Sequence, residues 1–303
     1  MSGETSVEAC ANCGKEPSDA GVKLKICTAC RLVKYCSVDC QRAHRKQHKN
    51  ACKRRASELK DELLYGQGLE QHEGHRCPIC TLPIPTPLSE HSGLTMCCLK
   101  RICEGCNFSV QKRGMFDCAF CRTPMPEDDA LRLAMLQKRV NARDPEATFF
   151  LGSQYFYGRN GVEKDVKRAT ELLTQAAEHG SIDAHFELGN RFYNEEGVQD
   201  ETKAVRHWEK AAMQGHAEAR FKLGCLEGAK RNFPRAIRHC LISAKMGNDS
   251  SLEMMKRFFQ EGFATKQQYA EALEGYQGSL QEMKSPERDE ARAALRLIPA
   301  DQR

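Results

Sequence analysis

Apolar and polar positions follow a helical period over the second half of the chain. From residue 147 onward, small and large apolar side chains recur three and four positions apart, as on one face of an α-helix. The pattern returns in three copies, ATFFLGSQYFYG, AHFELGNRFYNEEG and ARFKLGCLEG, which begin at Ala147, Ala184 and Ala219. Each copy leads into a second helical segment that ends at Gly180, Gly215 or Gly247, so the spacing is 35 and 32 residues. A period of this size is typical of solenoids built from helix pairs.

Glycines also fall inside the predicted helices. Gly152, Gly189 and Gly224 each cost roughly 1 kcal/mol of helix stability, which indicates that a neighbouring helix packs closely against them. Trp208 and Cys240 occupy equivalent positions of the second segments and are predicted core residues. Cys225, the other cysteine in this half, also lacks a cysteine partner in the sequence pattern.

The motif A-x-x-x-L-G, followed by G-V before an acidic turn and then by A-A-x-x-G, resembles the Sel-one-like repeats, relatives of the tetratricopeptide repeat. The resemblance implies a curved array with a concave surface for a protein partner, and no catalytic group. Residues 144–284 are assigned to these repeats, with a degenerate fourth copy at about 248–284. A connecting helix is predicted at 127–143, and a C-terminal helix or tail at 285–303.

The first 125 residues have a different composition. Large apolar residues are few, so hydrophobic burial alone could not stabilise folds of this size. Fifteen of the seventeen cysteines lie here, and with one histidine they make sixteen candidate ligands, the number that four tetrahedral zinc sites require. The ligands form the pairs Cys10/Cys13, Cys27/Cys30, Cys36/Cys40, His48/Cys52, Cys77/Cys80, Cys97/Cys98, Cys103/Cys106 and Cys118/Cys121. Closely spaced pairs favour metal ligation over disulfides, which join separate segments.

The cellular compartment can be inferred from the unpaired thiols together with the start of the chain. The start of the chain, MSGETSVEAC, has neither a basic start nor an apolar run, and no stretch has the 18 or so apolar residues of a membrane span. We therefore expect no signal peptide, no membrane partner, and a reducing cytoplasmic or nuclear environment.

In the first cysteine group, the spacing of four in Cys36/Cys40 and His48/Cys52 predicts two short helices, since residues four apart lie one above the other. The run SELKDELL predicts a further short helix in a linker at 55–74. Spacing alone leaves open whether the ligand pairs bind zinc sequentially or in an interleaved order.

The motifs C-x-x-C at Cys10 and at Cys27, KYCSVDCQ from Lys34 and HKNAC from His48 resemble a MYND-type zinc finger over residues 8–54. The resemblance implies interleaved sites, with Cys10, Cys13, Cys36 and Cys40 on one ion and Cys27, Cys30, His48 and Cys52 on the other. It also implies a protein-interaction module that takes proline-containing peptides.

Two details of this resemblance stay open. Arg45 follows His44 at the position where the family often has tryptophan, a departure that argues against the usual proline-containing ligand. His44 is also an alternative ligand to His48.

The run QRAHRKQHKNACKRR holds seven Lys or Arg and no acidic residue. It also lacks an aromatic residue for base stacking, so a solvated helix face is expected rather than a nucleic-acid site.

The second cysteine group resembles a RING finger over residues 75–126, through CPIC from Cys77, C-x-x-C from Cys103 and CAFCR from Cys118. Lys100 stands where the family has a histidine ligand. The resemblance then implies an all-cysteine variant, with Cys77, Cys80, Cys103 and Cys106 on one ion and Cys97, Cys98, Cys118 and Cys121 on the other. His91 is an alternative ligand. The proline-rich segment Thr81 to Glu90 is predicted to be an irregular loop.

RING fingers recruit a ubiquitin-conjugating enzyme and orient its ubiquitin thioester. By position, Ile79, Arg122 and Pro124 match the family's contact residues, whereas Ala119 stands where proline is common and Phe116 is a loose match for an apolar groove residue.

The sequence thus predicts a multidomain protein, with two small cross-braced zinc-finger modules followed by an all-α helical-repeat solenoid. All four zinc ions are expected to be structural, because each site is closed by protein ligands. We expect an adaptor that binds other proteins. The alternative is a RING-type ubiquitin ligase whose repeats or MYND finger select the substrate, and a third possibility is weak nucleic-acid binding through the basic helix.

Overall fold

The structure is a computed structural model that describes residues 9–19, 21–124, 126, 128–194 and 199–296. The chain divides into two compact units, residues 1–66 and 67–303. Part of the predicted G-V loop of the second repeat, at 195–198, and the tail beyond residue 296 lie outside the described residues.

The first unit combines a small hairpin with one long helix. Strand β1 (Lys25–Ile26) pairs antiparallel with β2 (Lys34–Tyr35), and helix α1 spans Val38–Gly66. The two short helices and the separate linker helix expected from the sequence are therefore one continuous helix of 29 residues. The reason is local, since no proline and no interior glycine interrupts this stretch.

Near its start, the second unit contains the RING-like region predicted at residues 75–126, called the second module below. A 3-10 helix (Glu73–His75) and helix α2 (Leu88–His91) precede β3 (Ser92–Leu94). Strand β3 pairs antiparallel with β4 (Arg101–Cys103), and α3 (Glu104–Lys112) follows at once.

The proline-rich segment of the second module is more ordered than predicted. Ile84 within it is fully buried, and Leu88, also buried, begins α2. Pro83 and Pro85 flank Ile84 and restrict the backbone on both sides of it. This segment therefore supplies apolar side chains to a module whose remaining buried residues are mostly cysteines.

The rest of the second unit is helical. Its helices are α4 (Asp129–Asn141), α5 (Pro145–Tyr157), α6 (Val166–Glu178), α7 (Ile182–Asn194), α8 (Glu201–Met213), α9 (Ala217–Ala229), α10 (Phe233–Lys245), α11 (Asp249–Gln260), α12 (Lys266–Met283) and α13 (Pro286–Arg296). Helices α5 to α10 form three antiparallel pairs with apolar cores between them. Helices α11 and α12 occupy the predicted degenerate fourth copy, and α13 packs against α3.

The interior glycines lie at close helix contacts. A Cβ on Gly189 would lie 2.4 Å from the Trp208 ring, and one on Gly224 would lie 2.7 Å from the Cys240 sulfur. Trp208 and Cys240 are buried in the cores of their repeats. Both therefore have packing roles, as the repeat pattern predicts. In the part of the chain that is described, no helix combines the length and apolarity needed to span a membrane.

Candidate metal centres

The first unit gathers its eight predicted ligands into two clusters. Cys10, Cys13, Cys36 and Cys40 form one, and Cys27, Cys30, His48 and Cys52 form the other, with ligand atoms within 4.8 Å of one another in each. The pairs are interleaved, as the MYND resemblance implies. The hairpin holds Cys27 and Cys30 on one side, while successive turns of α1 present His48 and Cys52 to them.

The distances within the clusters fit zinc. Sulfur atoms bonded to one tetrahedral zinc ion at about 2.3 Å lie about 3.8 Å apart. The Cys27 and Cys52 sulfurs are 3.8 Å apart, and the Cys36 sulfur lies 3.5 Å from that of Cys13 and from that of Cys40. A disulfide would need about 2.05 Å. Four protein ligands close each site, which is the arrangement of structural zinc.

The alternative histidine ligand lies outside the cluster. The Nε2 atom of His48 is 3.2 Å from the Cys30 sulfur, whereas Nδ1 of His44 is 3.1 Å from the Tyr35 hydroxyl. The two imidazole rings stack at 5.8 Å. His44 therefore supports the ring of His48 through stacking.

The second module also forms two interleaved clusters. They consist of Cys77, Cys80, Cys103 and Cys106, and of Cys97, Cys98, Cys118 and Cys121. The adjacent Cys97 and Cys98 both reach the second cluster, 3.3 Å from Cys121 and 3.8 Å from Cys118 respectively. Leu99, the next residue, has a left-handed backbone with φ of 53°, which reverses the chain sharply. Neither His91, at the end of α2, nor Lys100 belongs to a cluster.

Hydrogen bonds stabilise thiolates in these loops. Burial alone would raise the pKa of Cys10, but the backbone amides of Cys13 and Cys36 lower it to about 6. The Thr123 hydroxyl lowers the pKa of Cys121 to about 6 as well. Thiolate is the form that binds metal, so these hydrogen bonds favour ligation by Cys10 and Cys121. Within the cluster of Cys10, side-chain hydrogen bonds with Cys13 and Cys40 instead raise the pKa of Cys36 to about 12.

An arginine from the C-terminal helix contacts the first cluster of the second module. The guanidinium of Arg288 is buried; it donates hydrogen bonds to the carbonyls of Pro83 and Met283 at 2.6 and 2.7 Å, and Nη2 lies 3.5 Å from the Cys80 sulfur. A Cβ on Gly105 would lie 2.7 Å from the Arg288 backbone nitrogen. Helix α13 therefore packs closely on the cysteine loops of the second module, about 200 residues away in sequence, which spacing motifs could not reveal.

A fifth group of candidate ligands, His75, Asp183 and His216, connects the second module to the repeats. The Asp183 carboxylate accepts from Nε2 of His75 at 3.0 Å and from Arg101 at 2.6 Å. The Nδ1 atom of His216 accepts the Ala219 amide, so Nε2 carries the proton, 3.6 Å from Asp183. With Arg101 neutralising the carboxylate and no free lone pair on Nε2, the group fits a buried hydrogen-bond network and not a metal site.

Ile79, which matches a conjugating-enzyme contact, is 40% exposed in the first cysteine loop of the second module. Phe120, an apolar neighbour that the resemblance does not name, is 44% exposed in the last cysteine loop. Phe116 is 75% exposed. Arg122 and Pro124 are exposed as well, and Arg122 has a left-handed backbone. The second module thus presents apolar side chains to solvent on its zinc loops.

Comparison with known proteins identifies two of the three regions. The model of the MYND finger matches residues 10–52, and that of the Sel1 repeat matches residues 145–181, 182–216 and 217–248. The DAP3-binding cell death enhancer 1 of Rattus norvegicus is 39% identical over 31% of this chain and 19% of its own length. The chitin synthase regulatory factor 4 of Schizosaccharomyces pombe is 26% identical over 47% of this chain and 23% of its own.

The chain thus spans less than a quarter of the length of these curated relatives. Among solved structures, a Sel1 repeat protein from Oxalobacter formigenes is 23% identical, covers 58% of this chain and 71% of its own, and has a TM-score of 0.46. A protective antigen of uropathogenic Escherichia coli with an SLR fold is 30% identical over 50% of this chain and 33% of its own, at a TM-score of 0.44. The chain contains a MYND zinc finger at residues 10–52 and three Sel1 repeats at residues 145–248.

Proposed function

We propose that this protein is a zinc-stabilised adaptor that binds other proteins through its MYND finger and its repeats, in the cytoplasm or nucleus. The observation that carries the proposal is the closure of all four cysteine clusters by four protein ligands each. A closed site stabilises structure and leaves no coordination position for a substrate. The sixteen ligands are those named from the sequence, and they would hold four zinc ions.

The two matched families support protein partners. Sel1 repeats stack into an extended surface, and surfaces of this kind bind proteins. One relative is named for binding DAP3 and another for regulating chitin synthase, and both names describe action on another protein. We therefore propose that the partner of this chain is a protein. The proposal does not name DAP3 or chitin synthase as that partner.

The test is affinity purification of the tagged full-length chain from cells, with nuclease treatment to remove partners held by nucleic acid. Replacing Cys36 by serine removes one ligand of the first cluster and should release partners of the finger, while partners of the repeats remain. Replacing the exposed Tyr157 by serine probes the repeats. Recovery of the same proteins from all three chains, or of none from the parent, would contradict the adaptor function.

A second candidate function is a RING-type ubiquitin ligase, favoured by one observation. Ile79 remains 40% exposed although other faces of the second module pack against α13 and the repeats. An exposed apolar residue between two zinc ligands fits recruitment of a ubiquitin-conjugating enzyme. Pro124 would contribute to the same contact, and Arg122 would orient ubiquitin.

The ligase candidate is tested with ubiquitin, activating enzyme and a panel of conjugating enzymes. Ile79→Ala should weaken recruitment by removing an apolar contact. Arg122→Ala should slow ubiquitin discharge with recruitment nearly unchanged. Zinc content should be equal in both variants, which separates loss of the surface from loss of the fold. If neither change affects the formation of ubiquitin chains, this surface does not recruit the conjugating enzyme. If no ubiquitin chains form with any conjugating enzyme, the adaptor remains the proposed function.

A further inference from the structure

One face of helix α1 lines a groove in the first unit. Helix residues at 38, 42, 45, 49, 53 and 56 follow steps of three and four, so they lie along one side of the helix. The opposite wall is the zinc loop at 27–29 with the Tyr35 side chain. The groove has a volume of ≈ 570 Å³.

The groove has an apolar floor. Val38 is 58% exposed at its start, and Ala29 and Ala56 line it further along. An exposed branched side chain on a helix with few other apolar residues is available to contact a partner. These side chains would bury one or two apolar residues of a ligand.

The rim of the groove is cationic. Four exposed basic residues line it, Arg42, Arg45, Lys49 and Lys53, and no lining residue is acidic. In this row, Arg42 forms an ion pair with Asp39, in which the nitrogen and oxygen atoms lie 3.7 Å apart and both side chains are highly exposed. Three thiolates and one divalent ion at the adjacent zinc site would contribute only one net negative charge. The groove therefore keeps a positive potential.

The chemistry favours a peptide over a nucleic acid. Basic residues on successive turns are spaced about 5.4 Å apart, a distance that acidic side chains of a short peptide can match. Base stacking needs an exposed aromatic ring, and neither ring that lines the groove is free for it, since Tyr35 is buried and the His48 imidazole belongs to the ligand cluster. Arg45 at the family's tryptophan position also replaces an apolar contact by a cation.

We infer that this groove binds an acidic peptide segment of a partner protein, with carboxylates on the basic row and an apolar residue against Val38. The inference rests on the proposed adaptor function and names the chemistry of its partner at the finger. Recognition of acidic motifs by clustered basic residues is a known mode of peptide binding.

The test is fluorescence anisotropy with the full-length zinc-loaded chain and a short labelled peptide of alternating acidic residues and leucines. The same peptide with Asn and Gln in place of the acids, and a single-stranded DNA of equal charge, serve as comparison probes. Affinity for the acidic peptide should exceed that for both comparison probes and should fall with rising salt.

Matched variants locate the binding. Arg45→Gln with Lys49→Gln should weaken the acidic peptide about tenfold, because two exposed ion pairs are lost. Lys46→Gln with Arg54→Gln removes the same charge from positions of α1 that do not line the groove, and should leave affinity nearly unchanged. Zinc content, measured in each variant, should stay constant.

Three outcomes would overturn the inference: equal weakening by both pairs of changes, equal affinity for the neutral peptide, or tighter binding of the DNA. Val38→Asp separates this result from the adaptor function. If it releases cellular partners while the parent chain fails to bind the acidic peptide, the finger is an adaptor surface for a ligand of different chemistry. If acidic-peptide binding is intact but no cellular partner is found, the adaptor proposal fails instead.

Discussion

The two cysteine-rich modules use the same ligand chemistry in different structural settings. The first makes up a compact unit with α1, and its basic helix face is exposed. The second belongs to one unit with the repeats, where Arg101 and His75 bond to Asp183 and Arg288 contacts the cysteine loops of the module. Cysteine spacing therefore predicts the local fold of such a module, but not whether its surface is free or used for internal contacts.

Removal of zinc should have the largest effect and should distinguish the two modules. A structural zinc site contributes about 10 to 16 kcal/mol, more than a small domain's entire stability, so chelation should unfold both. In the second unit the loss should extend to the repeats, because residues 67–76 contact α8 and α9. Hydrogen exchange read by mass spectrometry should show reduced protection in α7 to α9. Unchanged protection there would mean that the repeats do not depend on the module.

The Asp183 network should give the next largest effect. Asp183→Asn keeps the shape but leaves the largely buried side chain of Arg101 without its counter-charge, at a cost of about 3 to 5 kcal/mol. Urea unfolding of the full-length chain measures this. The control is Glu171→Gln, whose pair with Arg168 is half exposed and should cost less than about 1 kcal/mol. Similar costs for the two changes would show that the network does not hold the second module.

Two equivalent glycines allow a matched comparison of the docked edge. Gly180 and Gly215 both end the second helix of a repeat with positive φ, 101° and 87°. A Cβ on Gly215 would lie 2.2 Å from the Glu70 carbonyl oxygen, whereas one on Gly180 meets nothing within 4 Å. Gly180→Ala should cost about 1 to 2 kcal/mol from backbone strain, and Gly215→Ala about 1 to 3 kcal/mol more from the clash. Thermal unfolding of both variants is the measurement. Equal losses would contradict the close approach of residues 67–72.

Local features of this protein could be predicted from sequence because their causes are local. Ligand spacing predicted the cysteine pairs, and the MYND and RING resemblances implied the interleaved order in which the structure brings those pairs together. The repeat period predicted helix pairs with glycines at close contacts. The continuity of α1 was missed because each ligand pair was interpreted separately. The absence of helix-breaking residues between Val38 and Gly66 was the available signal.

Long-range contacts could not be predicted in the same way. Asp183 meets His75 across 108 residues, and Arg288 meets Cys80 across 208. A single arginine or aspartate on a helix face has the pattern of a solvated residue, and nothing in its neighbours indicates burial. The groove on α1 is an intermediate case. Its basic row could be recognised in the sequence, but only the folded structure shows that the loop at 27–29 forms its opposite wall.

The smallest predicted effect is a pH dependence beside the network that holds the second module. Burial and the charge of Asp183 raise the pKa of Glu218 from 4.5 to about 7, with Glu187 acting in the same direction and His75 and Lys222 opposing. Because the folded state binds this proton more tightly than the unfolded chain, the contribution to stability is complete below pH 4.5 and is lost as pH rises through 7. Glu218→Gln stays neutral, so its stability relative to the parent should increase by about 1 kcal/mol between acidic and mildly alkaline pH, after allowance for partial exposure. Urea unfolding of parent and variant at both ends of this window gives the difference. The same change on the solvated Glu171 should give no such trend, and an equal trend in both variants would assign the effect to the net charge of the chain rather than to the surroundings of Glu218.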